Sequence, residues 1–354
     1  MNFWKNLKRP IKVLAPMAGY TDSAFRLLCK EAGADVVVTE LISADAIAYG
    51  KFRIMNHESR IMVLSANSKP NSTGELLSFS ERERPIVVQL FGKYPEKFGL
   101  AAKWITENLK PDGIDINMGC PARKVVGSDH GAALLKNPDL AVEIVEAVKA
   151  NTNLPVSVKT RLGWDNDDEI LGFAPRLAEA GIDAIIIHGR TYKDGFKGEA
   201  RWENIYKVKE ILGDKVVVIG NGDIGTNTKI QETITKQISN FKKQGLKIPN
   251  SYPLAPNILL DGVAIGRATF GKPWIFSGYG ASGIEDQALK KTILKHAELT
   301  FETKGAKGII EFRKHLLAYL KGFPNAKELR RSAVRIENMA DVESVLSTIE
   351  LQKA

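Results

Sequence analysis

Apolar residues collect in eight short runs, spaced along the first three quarters of the chain. The runs are nearly continuously apolar, which is typical of strands covered on both faces rather than of strands with one face in water. Each run is therefore predicted to be a buried strand. The eight runs cover residues 11–15, 35–40, 86–91, 113–117, 156–160, 184–188, 216–220 and 262–265.

The segments between these runs carry apolar residues at helical spacing. Asp22 is placed to cap a helix over residues 23–32 that stops at Gly33. Further helices are predicted over residues 138–150 and from residue 167 to residue 180, before Gly181. Strand and helix thus alternate eight times, which is the pattern of a (β/α)8 barrel. The sequence predicts an α/β protein of the TIM-barrel type.

After Trp274 the strand pattern disappears. Helical periods run through residues 286–303, 308–321, 326–335 and 341–351. We therefore predict two domains, a TIM barrel over residues 1–282 and an all-helical domain over residues 283–354. Two polar stretches, residues 67–84 and 231–257, are longer than the alternation requires. We interpret both as surface insertions, with a helix predicted over residues 231–244 in the second.

The charge of the chain is basic, with a formal net charge of +9. Nine Lys or Arg residues lie between residues 304 and 335, against only Glu311 and Glu328. Clustered cations are compatible with a polyanionic partner, because they displace counterions from phosphates. A solvated helical face would give the same pattern, so charge alone leaves both interpretations open.

The two cysteines, Cys29 and Cys120, lie far apart and form no Cys-x-x-Cys pair. A disulfide framework and a structural zinc site are therefore not expected, and we predict no metal. No apolar run near the N-terminus is long enough for a signal peptide or a membrane span. The expectation is a cytoplasmic protein without membrane association.

Polar and glycine-rich clusters follow seven of the predicted strands. They occupy residues 15–19, 89–92, 117–121, 159–161, 188–191, 221–223 and 265–267. In a barrel of parallel strands, functional groups stand at the C-terminal ends of the strands. A single cluster has a structural explanation, since glycine turns close most strand–helix units. Seven clusters at strand ends together favour a ring of groups around one site.

The composition of this ring indicates a phosphate-bearing planar ligand. Glycine turns after the last two strands let backbone N–H groups approach a phosphate, and Arg267 adds a bidentate partner. Gln89 and Lys159 are placed to meet the edge of a planar heterocycle. A lysine at the N1–C2 side of a flavin would stabilise its anionic reduced ring.

Cys120 is the strongest candidate for a catalytic residue. It lies just past a strand end, between Gly119 and Pro121, in a turn that would hold its side chain fixed. A free thiol is mostly protonated at neutral pH and can serve as a proton donor. The structural alternative is a small buried residue, the common fate of a free thiol. Cys29 falls on the apolar stripe of a helix and is predicted to be core.

These residues resemble the tRNA-dihydrouridine synthases, and the bacterial B-type is most similar. The most diagnostic stretch is Asp115-Ile116-Asn117-Met118-Gly119-Cys120-Pro121, followed by Lys124-Val125 and residues 131–135. Gly266-Arg267-Ala268 and residues 271–276 add to the resemblance, which covers essentially the whole chain.

The resemblance implies a TIM barrel that binds FMN, with NADPH as the reductant and uridine of the tRNA D-loop as the substrate. It implies that hydride passes from N5 of reduced FMN to C6 of uracil and that Cys120 protonates C5. It assigns Asn117, Arg161 and Arg190 to the substrate and the helical domain to tRNA. We expect a monomer, independently of the resemblance. The implied FMN residues are Pro16, Met17, Ala18, Gln89, Lys159, His188, Asn221, Gly222, Asp223, Gly266 and Arg267.

Two alternatives use the same residues differently. A flavin barrel acting on free pyrimidines would share the hydride geometry and the Cys acid, but would have no need of basic C-terminal helices. A non-catalytic RNA-binding module that assists tRNA folding would need the basic helices but not Cys120. The two features together favour an enzyme that acts on tRNA.

Overall fold

The computed structural model of the chain describes residues 2–50, 52–57, 60–65, 73–225, 260–277, 284–323 and 325–349. The helix predicted over residues 231–244 lies outside the described residues. The strands in chain order are β1 (Ile11–Leu14), β2 (Val36–Val38), β3 (Ile42–Ser43), β4 (Phe52–His57), β5 (Arg60–Ser65), β6 (Phe79–Ser80), β7 (Ile86–Phe91), β8 (Gly113–Met118), β9 (Val156–Arg161), β10 (Ala184–His188), β11 (Val217–Asn221) and β12 (Gly262–Ile265).

Eight of these strands close into a parallel barrel. Neighbouring strands follow the order β2-β1-β12-β11-β10-β9-β8-β7, and pairing of β2 with β7 completes the ring. Every pairing among these strands is parallel. The barrel confirms the predicted TIM-barrel fold, and the eight predicted strands coincide with it to within one or two residues at each end.

The helices are α1 (Phe3–Asn6), α2 (Ser23–Glu31), α3 (Ala44–Tyr49), α4 (Thr73–Leu77), α5 (Pro95–Asn108), α6 (Arg123–Val126), α7 (Pro138–Ala150), α8 (Glu169–Glu179), α9 (Glu203–Leu212), α10 (Asp286–Tyr319), α11 (Ala326–Ala333) and α12 (Met339–Ser347). Asp22 caps α2 as predicted, since its carboxylate accepts the Phe25 N–H at 3.1 Å. The predicted helices 286–303 and 308–321 join in α10, which breaks at Gly305 where φ is 62°.

Successive residues of each strand point alternately into the barrel and outward to the helices, and both sides are apolar. Val13 packs inside the barrel with Val36 and Ala264, whereas the next residue, Leu14, packs outward into the layer beneath the helices. Both faces of each strand are thus removed from water, as the sequence pattern predicts. This arrangement fixes the strand ends in a ring, and it is this ring that builds the site.

The interpretation of residues 67–84 as a surface insertion is wrong for the part that the structure describes. Leu77 and Phe79 are fully buried and join the main apolar core. Glu83 is also fully buried, because its carboxylate accepts a 2.5 Å hydrogen bond from the guanidinium of Arg26. The polar composition of the stretch does not indicate these buried positions. Glu83 in particular can be buried because Arg26 neutralises its charge. Strands β4 and β5, which precede the stretch, form a hairpin that the sequence pattern did not predict.

The C-terminal helices have their own apolar core and also pack on the barrel. Ile293, Phe312, Leu316 and Val342 belong to a cluster that contains no barrel strand residue. Leu299 of α10 packs against α2 of the barrel. The boundary at residues 282 and 283 stays a prediction. Among the described residues, no helix has the length and apolarity needed to cross a membrane.

Candidate active site

A cavity of about 600 Å³ opens at the C-terminal ends of the barrel strands. This volume lies within the range of ordinary ligand pockets. All seven predicted strand-end clusters contribute to its wall or to the side chains that support the wall. The residues that line it and were predicted as site residues are Pro16, Met17, Ala18, Gln89, Asn117, Cys120, Lys159, Arg161, His188, Asn221, Gly222, Asp223, Gly266 and Arg267.

A buried hydrogen-bond chain supports one side of the cavity. Asp115 accepts from the Ser157 hydroxyl at 2.6 Å and from the Gln89 amide at 2.7 Å. Gln89 accepts in turn from the side-chain amide of Asn117 at 2.8 Å. Burial raises the pKa of the Asp115 carboxyl to about 7, although its two hydrogen bonds oppose the shift. Gln89 is thereby held in one orientation and keeps one amide N–H for a ligand.

Lys159 lies at the bottom of the cavity, and its ammonium donates to the Asn221 side chain at 3.1 Å. Burial lowers the pKa of Lys159 to about 8, and the nearby Arg161 adds to this lowering. Asn221 is fixed by a hydrogen bond from its amide to the Ala264 carbonyl at 2.7 Å. The lysine is therefore a positioned cation whose charge depends on pH near neutrality.

Cys120 sits in a turn held from both sides. Its backbone N–H donates to Asn117 Oδ1 at 2.9 Å, and its carbonyl accepts from the Ala132 N–H at 3.1 Å. Gly131 packs against it with a φ of 62°, and a Cβ there would come within 3.2 Å of the Cys120 Cβ. Only glycine combines this backbone conformation with this close approach. The thiol is half-buried on the cavity wall, and its role as a proton donor stays a prediction.

The side of the cavity expected to take phosphate is built from glycine turns and arginine. Gly222 has a φ of 120°, and a Cβ there would lie 2.8 Å from that of Ala200. The Arg267 guanidinium lies 4.3 Å from the centre of the Phe196 ring, which is half-exposed at the cavity. The turn thus requires glycine, and it brings the backbone to the cavity beside a cation.

His188 carries a buried ring nitrogen, Nδ1, with no hydrogen-bond partner in the described part of the chain. Burial, together with the nearby cations of Lys159 and Arg161, lowers the pKa of His188 to about 2. The imidazole is therefore neutral at physiological pH. An unpartnered buried nitrogen costs about 1–3 kcal/mol, so a polar ligand atom in the cavity would remove a penalty that the protein now carries.

The three residues assigned to substrate occupy different positions. Asn117 and Arg161 line the cavity, where Arg161 donates to the carbonyls of Gly119, Thr191 and Gly195 at 2.8–2.9 Å. Arg190 does not line the cavity. Its guanidinium is buried behind the wall and binds both carboxylate oxygens of Asp223 at 2.8–2.9 Å. The structure thus gives Arg190 a supporting position, and its substrate role stays a prediction.

Several residues of the cavity were missed in the sequence. Three aromatic residues line it from loops, Tyr20, Phe196 and Phe270. The polar residues around them in the sequence give no pattern that predicts a buried or ligand-binding position. Phe196 could have been found as a lone aromatic residue in a Lys- and Gly-rich loop. Asp115 supports the wall from inside an apolar strand, where an isolated carboxylate signals a buried hydrogen-bond network.

A closed parallel barrel with cationic, amide and thiol groups around a cavity at its strand ends defines a class of protein, the TIM-barrel enzymes. Comparison with known families then places the chain more closely. The family model described as dihydrouridine synthase (Dus) matches residues 13–239 and 257–354. The chain belongs to the dihydrouridine synthase family, a family of oxidoreductases.

Individual relatives span nearly the same length. A probable tRNA-dihydrouridine synthase of Aquifex aeolicus is 34% identical over 345 residues, which is 95% of each chain. The tRNA-dihydrouridine synthase B of Pseudomonas aeruginosa is 34% identical over 92% of this chain and 88% of its own. That of Pseudomonas syringae pv. tomato is 32% identical over 92% and 87%. The resemblance that the motifs indicated is confirmed.

Proposed function

We propose that this protein reduces the C5–C6 double bond of uridine in the tRNA D-loop to 5,6-dihydrouridine, using FMN and NADPH. The observation that carries the proposal is the position of Cys120. Its thiol lines the same cavity as Lys159, on the heterocycle side, and Arg267, on the phosphate side. A proton donor, a flavin-edge cation and a phosphate partner are thereby combined in one pocket.

The residues of the cavity fit FMN. Gln89 and Lys159 offer an amide N–H and an ammonium to the edge of a planar ring, and the unpartnered nitrogen of His188 offers a polar contact. Gly222, Gly266 and Arg267 would hold the phosphate. When bound, FMN would supply the hydride to uracil C6 after being reduced by NADPH.

Cys120 would give its thiol proton to uracil C5, which leaves a thiolate on the protein. Lys159 and Arg161 lie close enough to the thiol to interact with it electrostatically. Their positive charge would favour the thiolate, so the proton transfer ends in a stabilised ion pair. Solvent would restore the proton after the product leaves.

The uracil base has to leave its stack in the tRNA to enter the cavity at the C-terminal ends of the barrel strands. The basic helices after residue 283 would hold the folded tRNA through its phosphates while the base enters. Of the nine cations counted there, Lys321, Lys327, Arg330, Arg331 and Arg335 are exposed. We further propose a cytoplasmic monomer, in keeping with a tRNA substrate.

The test combines cofactor content with activity. The purified protein should carry flavin and form dihydrouridine in tRNA when given NADPH. Cys120→Ala should keep its flavin but lose at least about 100-fold in the rate of tRNA reduction, the usual contribution of a positioned acid. Cys29→Ala removes the other thiol, which is buried in the core, and should retain activity once its folding is verified.

Absence of flavin, with none taken up when FMN is added, would contradict the proposal. Reduction of free uridine as fast as tRNA would favour an enzyme of free pyrimidines instead. Cys120→Ala with undiminished activity would remove the cysteine from the mechanism while leaving the cofactor assignment intact.

A further inference from the structure

A second cluster of chemically competent side chains lies outside the cavity, where α10 meets the barrel. Asp22 precedes α2, and His296 and His315 face it from the two halves of α10. One ligand-type atom from each residue lies within 4.8 Å of the others. All three side chains are buried, with His296 fully so.

The two histidines are incompletely partnered. Nε2 of His296 and Nε2 of His315 are both buried, and neither has a hydrogen-bond partner within the described ranges. Leaving such a group unsatisfied costs about 1–3 kcal/mol. Two adjacent orphan nitrogens beside a carboxylate therefore point to a bound species that satisfies both.

The environment of the rings favours metal ligation. The Tyr319 hydroxyl lies 3.1 Å from Nδ1 of His296, so this nitrogen can donate its N–H to the hydroxyl and leave a lone pair on Nε2. Ligating histidines commonly have their second nitrogen fixed in this way. Burial lowers the pKa of His296 to about 4 and that of His315 well below its usual range, so both rings are neutral at pH 7.

Carboxylates and cations both surround the cluster. Lys304 donates to Asp22 at 2.9 Å and to Glu311 at 2.8 Å, so two carboxylates share one ammonium. Glu40 adds a further carboxylate close enough to interact with Asp22. Lys314 is the other cation that acts on both histidines. Lys307 also pairs with Glu311 at 3.4 Å, and Arg26 acts on Glu40. The charges around the cluster are therefore mixed, and the case for a metal ion depends on the two unpartnered ring nitrogens and the carboxylate beside them.

We propose that Asp22, His296 and His315 bind a zinc ion that ties α10 to the barrel. Two nitrogens and one carboxylate oxygen form a ligand set that zinc accepts. Ligand atoms of a tetrahedral zinc ion lie about 3.4 Å apart, given metal–ligand distances of about 2.1 Å. The cluster therefore closes by roughly 1 Å around the ion.

The role of this ion is structural. Asp22, His296 and His315 do not line the cavity proposed as the active site, so the ion would not meet the substrate. A water molecule would complete its tetrahedron. His315 contacts the edge of Tyr20 at a ring distance of 5.5 Å, and Tyr20 lines the cavity. An ion at this position would fix the C-terminal helices against the loop that follows β1.

The test measures bound metal rather than activity. The full chain, freed of any affinity tag, should retain about one zinc per chain after dialysis against a weak chelator, as counted by plasma mass spectrometry. His296→Gln and His315→Gln should each retain less than a tenth of that zinc. His130→Gln, which changes a histidine outside the cluster, should retain all of it.

Cobalt substitution of the unmodified protein keeps the proposal testable if the variants do not fold. Cobalt bound by nitrogen and oxygen should give visible absorption without a thiolate charge-transfer band. The proposal is overturned if the wild-type chain holds no zinc and takes up none on titration with zinc salt. It is equally overturned if both His variants fold and bind as much zinc as wild type, or if a thiolate band shows that Cys29 or Cys120 is the ligand.

Discussion

The charge of Lys159 makes the electrostatics of the cavity depend on pH. Its pKa is lowered to about 8, so its positive charge is present below that pH and is lost as the pH rises through it. If this charge supports flavin reduction as proposed, the rate of tRNA reduction should fall above pH 8. Lys159→Met should be slow throughout and should lack this alkaline fall. An unchanged alkaline fall in Lys159→Met would assign the titration to another group.

Asp115 offers a test of charge against hydrogen bonding. An asparagine at this position can accept from Gln89 and donate to the Ser157 oxygen, so Asp115→Asn should preserve the network. Because Asp115 raises the pKa of Lys159, the same change should move the alkaline fall in activity to lower pH. Asp115→Ala removes the same charge and should shift the alkaline fall in the same direction. It should in addition reduce activity at every pH by about tenfold, since it leaves Gln89 without the buried hydrogen-bond partner that orients it. A pH–rate profile of the two variants separates these effects.

Most individual residues of the cavity could be predicted from the sequence, because the residues at the C-terminal ends of barrel strands face one common site. The motifs showed which side chains stand at the strand ends, but not which groups those side chains bind. Arg190 illustrates the difference. Its position after a strand end predicts a ligand contact, but its guanidinium donates hydrogen bonds to the carboxylate of Asp223. Such pairing depends on where two loops meet, which spacing along the chain does not contain.

The loop between β1 and α2 shows how elements depend on one another. Lys304 of α10 pairs with Asp22 at the end of this loop, and both side chains are largely buried. In the metal-free protein, Lys304→Met should leave the buried carboxylate of Asp22 uncompensated and lower the free energy of unfolding by about 3 kcal/mol. Lys307→Met removes two more exposed pairs, with Glu75 and Glu311, and should cost about 1 kcal/mol or less. Thermal and denaturant unfolding of the two variants provide the comparison.

Equal losses of stability in these two variants would contradict a special role for the Asp22 contact. A loss of flavin from Lys304→Met without a change in its unfolding would show that α10 acts on the cavity through the loop.

The barrel strands and the C-terminal helices were predictable, whereas the hairpin of β4 and β5 was not. The eight strands have two buried faces and therefore a continuous apolar pattern. Strands β4 and β5 form a hairpin of mixed polar and apolar residues, and this pattern is too weak to identify. The break predicted between residues 303 and 308 is present at Gly305, and the helices on its two sides form the two halves of α10.

At the scale of the whole molecule, the proposed hold on tRNA depends on the charge of the C-terminal helices. Arg330 and Arg331 are exposed on α11, so changing both to alanine should weaken tRNA binding. The slope of log affinity against log salt should become shallower by about 1 for each phosphate that the variant no longer neutralises. Lys103→Ala with Lys215→Ala removes the same charge from exposed positions on the barrel and serves as the control. Identical salt slopes in the two double variants would contradict a phosphate-binding role for α11.

The pairing of β1 with β12 has a consequence for how the protein is made. Ile11 lies beside Gly262 in the register of these strands, so one edge of the first strand has no partner until the end of the barrel has been synthesised. At about 5–20 residues per second, the ribosome takes roughly 10–60 s to reach that point. During this time the nascent chain exposes an apolar strand edge, which is a template for aggregation. Assistance by chaperones at the ribosome is therefore expected to govern the yield of folded protein more than the final stability does.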